Sequence, residues 1–470
     1  MKNIKIIIVT FLTGVFIISS CDFGDINIDP TTTSKVALKD LLPAAIGQTV
    51  FNMGATPGRA AGIVMQYFKG VDAQQLDYQR YIFDASAFNN LWSFGLYGAG
   101  AMKHCYVIIE QATEEEAPHY IGISKILMAA NLGMAATMWG DVPYSEAFLG
   151  EEGGEALQPA YDTQETVYQT VQQLLDEGIT LMGQTPSFAP PSADDLIYGG
   201  NADSWIMTAY ALKARYYMHL TKRDANASAS ALAAIGNAYG SNADEATFVF
   251  GTSPTQANPY AQFGTQRPNT LVIFEPFNEL MTNKSDPRLP YYMSSDGTNW
   301  NFYAGESALF WSSNASALPL ISYTELKFLE AEAELRSANI ADAEAALAEA
   351  VEANMDQMGI DPADYAGYVA ANGSFAGLST DEARLERIIE EKYVAMYCQG
   401  FIESWTDYKR TGYPDLTPNP QGVNGFNPSG VIPRRYQYGT DERFSNTANV
   451  EAATTRQGGD LLDVDTWAFK

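Results

Sequence analysis

The chain has 470 residues, 46% of them hydrophobic, which is ample to bury a core and more than one core usually holds, so two lobes or one array of stacked units is expected. Its 28 basic side chains stand against 56 acidic ones, a formal charge of −28 that excludes nucleic acid and other polyphosphates, whose binding runs on cationic contacts and counterion release. The same field repels anionic lipid, so attachment to a membrane requires a hydrophobic or covalent anchor.

At the N-terminus Lys2 and Lys5 precede an apolar run over 6–18, which has signal-peptide length and falls short of the roughly 20 residues that span a bilayer. An export signal is therefore predicted over 1–20. It ends in Ile18-Ser19-Ser20-Cys21, which resembles the bacterial lipobox, where the peptidase cuts before a cysteine whose thiol carries a diacylglyceryl group. Ile18 and Ser20 depart from the Leu and the Gly or Ala usual at those places. The mature protein is then expected to begin at a lipidated Cys21, with a leader over 21–35 and a single body over 36–470. The competing reading makes Cys21 an ordinary cysteine of a soluble exported protein. Only Cys105 and Cys398 remain as partners, and three cysteines are no disulfide framework, although those two are left open as thiols or a pair. Asp25-x-Asn27-x-Asp29 opens like a calcium loop and then fails, with Pro30 in place of the needed Gly and Val36 in place of the bidentate Glu.

Beyond the leader, helical periodicity dominates and the helices come in pairs. The tract 68–98 is rich in Gly, Asn and aromatic residues and reads as irregular. In "GLYGAGAMK" Gly98 and Gly100 lack the third glycine and the preceding strand of a dinucleotide fingerprint, so tight helix packing is predicted there. Helices are predicted over 120–139 and 164–182. Between them "WGDVPY" reads as a structural turn in which Pro143 ends the first helix and Asp141 bonds the turn backbone. Asp203 is placed to cap a helix over 203–220, where Trp205, Ala209, Leu212 and Tyr216 recur at three- and four-residue spacing, with 227–239 as its partner. After a second irregular tract over 240–320, Ser322-x-x-Glu325 and Ser379-x-x-Glu382 form capping-box patterns. They open a pair over 322–337 and 341–358 and a fourth unit over 380–407; a third irregular tract fills 411–470. Grouped as 120–182, 203–239, 322–358 and 380–407, the pairs approach the tetratricopeptide length. The predicted fold is all-α, a tetratricopeptide-like array of helix pairs carrying a long, irregular, loop-rich lobe. Such arrays leave one face free for partners, and loops this long are usually functional.

Catalytic chemistry is not visible. The histidines are His104, His119 and His219, with no metal-binding spacing, and there is no G-x-S-x-G turn, so neither metal nor cofactor is expected. The carboxylates are too numerous to single out a glycosidase pair, which is defined by distance in space. What stands out is aromatic density in loops. Sugar faces stack on Trp and Tyr while Asn, Asp and Arg satisfy the hydroxyls. Two tracts combine these groups, "LDYQRYIFDASAFNNLWSFGLY" from Leu76 and "TNWNFYAGESALFWSS" from Thr298. The candidate ligand-binding residues are Tyr78, Asn89 and Trp92 in the first and Trp300, Tyr303 and Trp311 in the second. The competing reading is that these rings plug loops onto helices.

Taken together, several segments resemble the SusD/RagB family of Bacteroidetes outer-membrane lipoproteins. They are the lipobox cysteine followed by "DFGDINIDPTTTS", "MWGDVPYSEAF" at 138–148, "SYTELKFLEAEAELR" at 322–336, "RIIEEKYVAMYCQGFIESWTDYKRTGYP" at 387–414 and "IPRRYQYGTDERFSNTANVEAA" at 432–453. The resemblance implies a helical-repeat surface lipoprotein without enzymatic activity, which captures a nutrient and delivers it to a SusC-like TonB-dependent transporter. Family ligands are usually glycans, and some members serve peptide uptake. Asn89 and Trp92 also fall in a region that resembles a ligand-contacting part of some glycan-binding members. The acidic residues behind Cys21 resemble a surface-export signal, so an outward-facing outer-membrane protein is expected. The rivals are the same architecture taking up oligopeptides, a glycoside hydrolase, and a purely structural envelope protein.

Overall fold

Apolar faces at helical spacing have to be covered, and here each helix covers its neighbour in a stack. The computed structural model describes residues 35–295, 300–301, 311 and 313–470. The predicted signal over 1–20, Cys21 and Tyr303 lie outside the described residues, as does all of the leader before Lys35.

The described chain opens with α1 (Leu38–Gly54), α2 (Thr56–Val64), the short β1 (Phe68–Gly70) and α3 (Ala73–Gln79). A π-helical segment, Leu91–Tyr97, leads into α4 (Ala101–Glu114) and α5 (Pro118–Trp139). Next come α6 (Gln164–Met182), α7 (Ala202–Met218) and α8 (Ala227–Ile235). The central irregular region holds β2 (Thr247–Val249), α9 (Pro259–Gln266), β3 (Leu271–Ile273), α10 (Glu275–Asn283), α11 (Leu289–Tyr292), β4 (Ser294–Ser295), β5 (Trp300–Asn301) and β6 (Ala317–Pro319). The C-terminal part holds α12 (Tyr323–Arg336), α13 (Ile340–Gln357), α14 (Pro362–Asn372), α15 (Asp381–Ala395), α16 (Phe401–Thr411), α17 (Thr440–Ser445) and α18 (Thr447–Gln457).

Packing follows sequence order: α1 on α4, α4 on α5, α5 on α6, α6 on α7, α7 on α8, then α8 on α12, α12 on α13 and α15. The fold is mainly helical, and the strands form three two-stranded antiparallel ribbons, β1 with β3, β2 with β6 and β4 with β5. At the centre lies α5. It is apolar on every side and long enough to cross a membrane, yet nearly all of its side chains are buried within the protein, which is the signature of a core helix.

Local capping refines several expectations. Ser322 caps α12 by accepting from Glu325 N at 3.0 Å, but the Glu325 carboxylate does not turn back; it binds Arg215 instead. The cap of α7 is Asn201, accepting from Ser204 N at 3.1 Å, and Asp203 sits inside the first turn. Likewise Thr380, not Ser379, caps α15, because Thr380 is the last extended residue and its hydroxyl accepts from Ala383 N at 3.2 Å. The predicted 380–407 unit is two helices, α15 and α16, separated by a turn that includes Cys398 at φ 53°. Helix α5 does end at Trp139, before Pro143. Asp141 does not hold its own turn: its Oδ1 accepts from Gln164 N at 2.8 Å, at the start of α6, and its Oδ2 accepts from Arg456 Nε at 2.7 Å. The turn backbone is held by Asp162, which accepts from Tyr144 N and Ser145 N at 2.8 Å each.

Cys105 and Cys398 are both free and buried, and burial pushes both thiols up. The core also carries ionic clusters, two of which tie α16 to the array. Arg215 binds both oxygens of Glu325, and Glu403 accepts from His219 Nε2 at 2.8 Å. Arg410 binds Glu332 through two nitrogens and Asp407 at 2.8 Å, and Asp407 pairs with Lys392 of α15 at 2.8 Å. Arg288 binds Asp286 at 2.7 Å and Glu391 at 3.0 Å. Charges removed from water at this cost persist because multidentate partners satisfy nearly every donor.

Candidate functional site

Three of the predicted ligand contacts are core residues. Tyr78 is 2% exposed and stacks on Phe83 with ring centroids 4.5 Å apart. Trp92 is 4% exposed and meets the edge of Trp139 at 5.1 Å, with Tyr161 and Tyr438 closing the cluster. Trp311 is fully buried, and its Nε1 donates to Tyr292 O at 2.7 Å. These rings offer a sugar no free face; they fasten loops to the helices, as the competing reading of the sequence holds. Asn89 is half-buried, and its Oδ1 accepts from Thr440 N at 2.9 Å, joining the 84–90 loop to the start of α17. Trp300 lies in β5 opposite Ser295, and its side chain, like Tyr303, is outside the described residues.

In the same tract as Trp92, Phe94 does face solvent, 67% exposed. It stands two positions after Trp92 on the π-helical segment, so the two point to opposite sides: Trp92 anchors the segment in the aromatic cluster and Phe94 is held outward. Single-turn π-helices often occur at functional sites. The segment is locked from below by an amide relay in which Gln48 Nε2 donates to Asn52 Oδ1 at 2.8 Å and Asn52 Nδ2 donates to Gly95 O at 2.7 Å. A Cβ at Gly95 would lie 2.8 Å from Asn52 Oδ1, and one at Gly100 would lie 2.3 Å from the Gly95 carbonyl carbon. Gly98 and Gly100 thus serve close backbone approach where the π-helix meets α4.

Helix α1 forms the opposite wall. Gln48, Phe51 and Asn52 share one of its faces at three- and four-residue spacing, and Phe51 is 38% exposed. Between Phe51 and Phe94 lies a hollow of about 390 Å³ whose rim includes Gln48, Gln74 and Asn90. A second hollow, also about 390 Å³, shares Phe51 and runs along Phe248, Val249 and Gln256. A third, about 450 Å³, shares Ala257 and Gln262 with the second and reaches Gln266 and Asn314. The three hollows are neighbours along a groove-like stretch of α1, the β2 end and α9, each sharing lining residues with the next. Its far wall is braced by Gln262 Nε2 donating to Pro254 O at 2.7 Å and Asn314 Nδ2 donating to Thr252 O at 3.1 Å. A separate hollow of about 560 Å³ between β1 and the 415–421 segment is lined by Lys69, Asp415 and several prolines, without a ring exposed as Phe94 is.

Among its described lining residues the groove has no carboxylate, imidazole, thiol or amine. Its described lining presents ring faces and amides, which can hold a hydroxyl-rich ligand. No cluster of metal-ligating side chains occurs among the described residues. Sequence reasoning missed Phe51 and Phe94 because it favoured Trp and Tyr. The available signal was that Trp92 and Phe94, two apart on a helix, cannot both face the core.

A family model described as "Starch-binding associating with outer membrane", of the SusD-like type, matches residues 30–439. Among solved structures, a SusD/RagB family protein from Bacteroides thetaiotaomicron superposes with a TM-score of 0.76 at 24% identity, covering 92% of this chain and 99% of that one. A SusD homolog from Bacteroides uniformis gives 0.76 at 24% identity, covering 93% and 100%. A chitin-binding SusD homolog from Flavobacterium johnsoniae gives 0.76 at 22% identity, covering 91% and 98%. No curated protein matches. Likeness at these identities speaks to the fold, and the family model adds the assignment: this helix-pair array with its aromatic groove belongs to the SusD-like family, described as starch-binding and associating with the outer membrane.

Proposed function

We propose that this chain is a non-catalytic, lipid-anchored receptor on the outer face of the outer membrane, which captures an oligosaccharide in the Phe51–Phe94 groove and passes it to a SusC-like TonB-dependent transporter. The observation that carries the reading is Phe94, an aromatic ring 67% exposed beside Asn90 and Gln48 on a rigidly anchored segment. A large exposed ring costs solubility, and its retention beside planar amides suits stacking on a sugar face. Family membership and the acidic chain as a whole agree with a polyhydroxylated ligand.

The full chain, extracted in detergent, should be retarded in native gels containing a soluble polysaccharide and should release no shortened product from it. Retention by no glycan, or binding of oligopeptides instead, overturns the ligand; sustained product release overturns the non-catalytic role. Affinity capture from envelopes should bring down a large TonB-dependent β-barrel protein, and capture of the receptor alone removes the transporter from the reading. The anchor is tested separately: Cys21→Ala should lose incorporated fatty acid and move from the membrane to the soluble fraction, whereas a variant that stays membrane-bound overturns lipidation at Cys21.

A further inference from the structure

The hollow of about 560 Å³ between β1 and the 415–421 segment shares no lining residue with the Phe51–Phe94 groove, and it is built with some care. Its walls are fastened to each other: Gln66 Nε2 donates to Thr417 O at 2.6 Å, Asn419 Nδ2 donates to Gln79 O at 2.6 Å, and Asn419 N donates to Tyr81 OH at 3.1 Å. The backbone around it is strained, with Gln66, Ala73 and Tyr81 at φ 60°, 46° and 57°. Strain of this kind persists only where the surrounding structure over-determines it, and it gathers at ligand sites. One polar group is left open. Gly70 N donates to Gln79 Oε1 at 3.1 Å, which fixes the amide with its NH2 turned the other way. Gln79 is 8% exposed and lines the hollow, and that NH2 has no partner among the described residues, so it calls for an acceptor.

Charge of both signs lines the same hollow. Lys69, on β1, has its one ion pair among the described residues with Glu275 at 3.5 Å, in a solvent-open contact that holds it weakly. Asp415, on the C-terminal segment, is exposed and in no ion pair among the described residues. Val71, Phe274, Pro418 and Pro420 add apolar faces to the lining.

We infer that this hollow is a second binding site, which takes a short apolar peptide with both ends free: the carboxylate at Lys69 and the Gln79 NH2, the ammonium at Asp415, and the side chains on Phe274 and the prolines. A peptide held here neither needs nor excludes a glycan in the groove. A zwitterion suits a chain of net charge −28, because it has no net charge to be repelled, whereas a ligand bearing only the carboxylate approaches against that field. A neutral sugar in the same place would take water from Lys69 and Asp415 and return no opposite charge to either.

The test is calorimetry on the full chain in detergent with dileucine and trileucine, their N-acetyl forms and their C-terminal amides, at low and high salt. At least one free peptide should bind, and capping either end should weaken it about fivefold or more, a penalty that shrinks at high salt. Lys69→Met should erase the penalty for amidation and keep that for acetylation; Asp415→Asn should do the reverse. Both side chains reach solvent, so neither variant should move the thermal unfolding midpoint appreciably. Capped peptides that bind as well as free ones, or binding of neither free peptide, overturn the second site and leave the glycan-receptor reading standing. Peptide binding that is lost in Phe94→Ala and unchanged in both Lys69→Met and Asp415→Asn puts the peptide in the groove and equally overturns this site.

Discussion

Replacing Phe94 by alanine is expected to weaken polysaccharide binding about tenfold and leave the thermal unfolding midpoint essentially where it was. An aromatic stacking contact is worth about 0.5–1.5 kcal/mol beyond the area it buries, and 1.4 kcal/mol is a factor of ten in affinity. Stability should not follow, because a ring 67% exposed contributes little to the core, and surface substitutions usually stay within about 0.5 kcal/mol. Trp92→Ala, two positions earlier, is the counterpart. Deleting a buried ring packed against Trp139 and Tyr161 should cost about 3–5 kcal/mol and lower the midpoint by several degrees. Calorimetric titration and differential scanning on the two variants separate the roles. Should Phe94→Ala bind as wild type does, the ring has no part in the site.

The second large effect lies in the core. Glu332→Gln should destabilise the protein by about 3–5 kcal/mol at neutral pH, since it leaves Arg410 buried against a neutral amide. Pairing Glu332→Met with Arg410→Leu should recover much of that loss, because Asp407 keeps Lys392 as a partner and Arg336, which loses Glu332, still reaches water. The same cluster sets an acid limit. Burial by itself opposes ionisation of Glu332, but Arg410 and Arg336 outweigh it and hold the carboxyl at about 2. An unfolded glutamate titrates near 4.3. With the folded value depressed, the stabilisation is complete above about 4.3 and is lost as pH falls towards about 2. Glu403 adds in the same direction: burial opposes its charge, and His219 and Arg215 more than offset the penalty. Denaturant midpoints should therefore fall between about pH 4.5 and 2 in the wild type. The fall should be shallower in Glu332→Gln, and equal slopes would remove Glu332 from the acid transition.

Helix positions were legible because they depend on local periodicity: the stripes and breaks that mark α5, α6, α12 and α13 are carried by residues three and four apart. The caps were legible only to within a residue or two, since Asn201 beside Asp203, and Thr380 beside Ser379, offer equivalent oxygens. The choice between them depends on which backbone is still extended, and the packing of the whole helix decides that. Asp141 shows the same limit at longer range. Its partners Gln164 and Arg456 are brought to it by the array, and the turn it was expected to hold belongs to Asp162.

By itself the sequence determined the class of molecule: an acidic chain with an apolar N-terminal run ending at Cys21, paired helices, loops dense in aromatic residues, and no visible catalytic spacing. Which aromatic residues are surface and which are core was decided only by the tertiary structure. Tyr78, Trp92 and Trp311 looked apt for a sugar because they are large and amphipathic, and the same ring area favours their burial, in Trp311 with the indole N–H bonded to Tyr292 O. Phe51 and Phe94 look like core in the sequence. They reach solvent because the π-helical turn and the Gln48–Asn52–Gly95 relay fix the phase of the chain around them, through contacts between segments more than 40 residues apart. Periodicity in the sequence tells which residues share a face; whether that face is covered depends on the neighbours that folding brings to it.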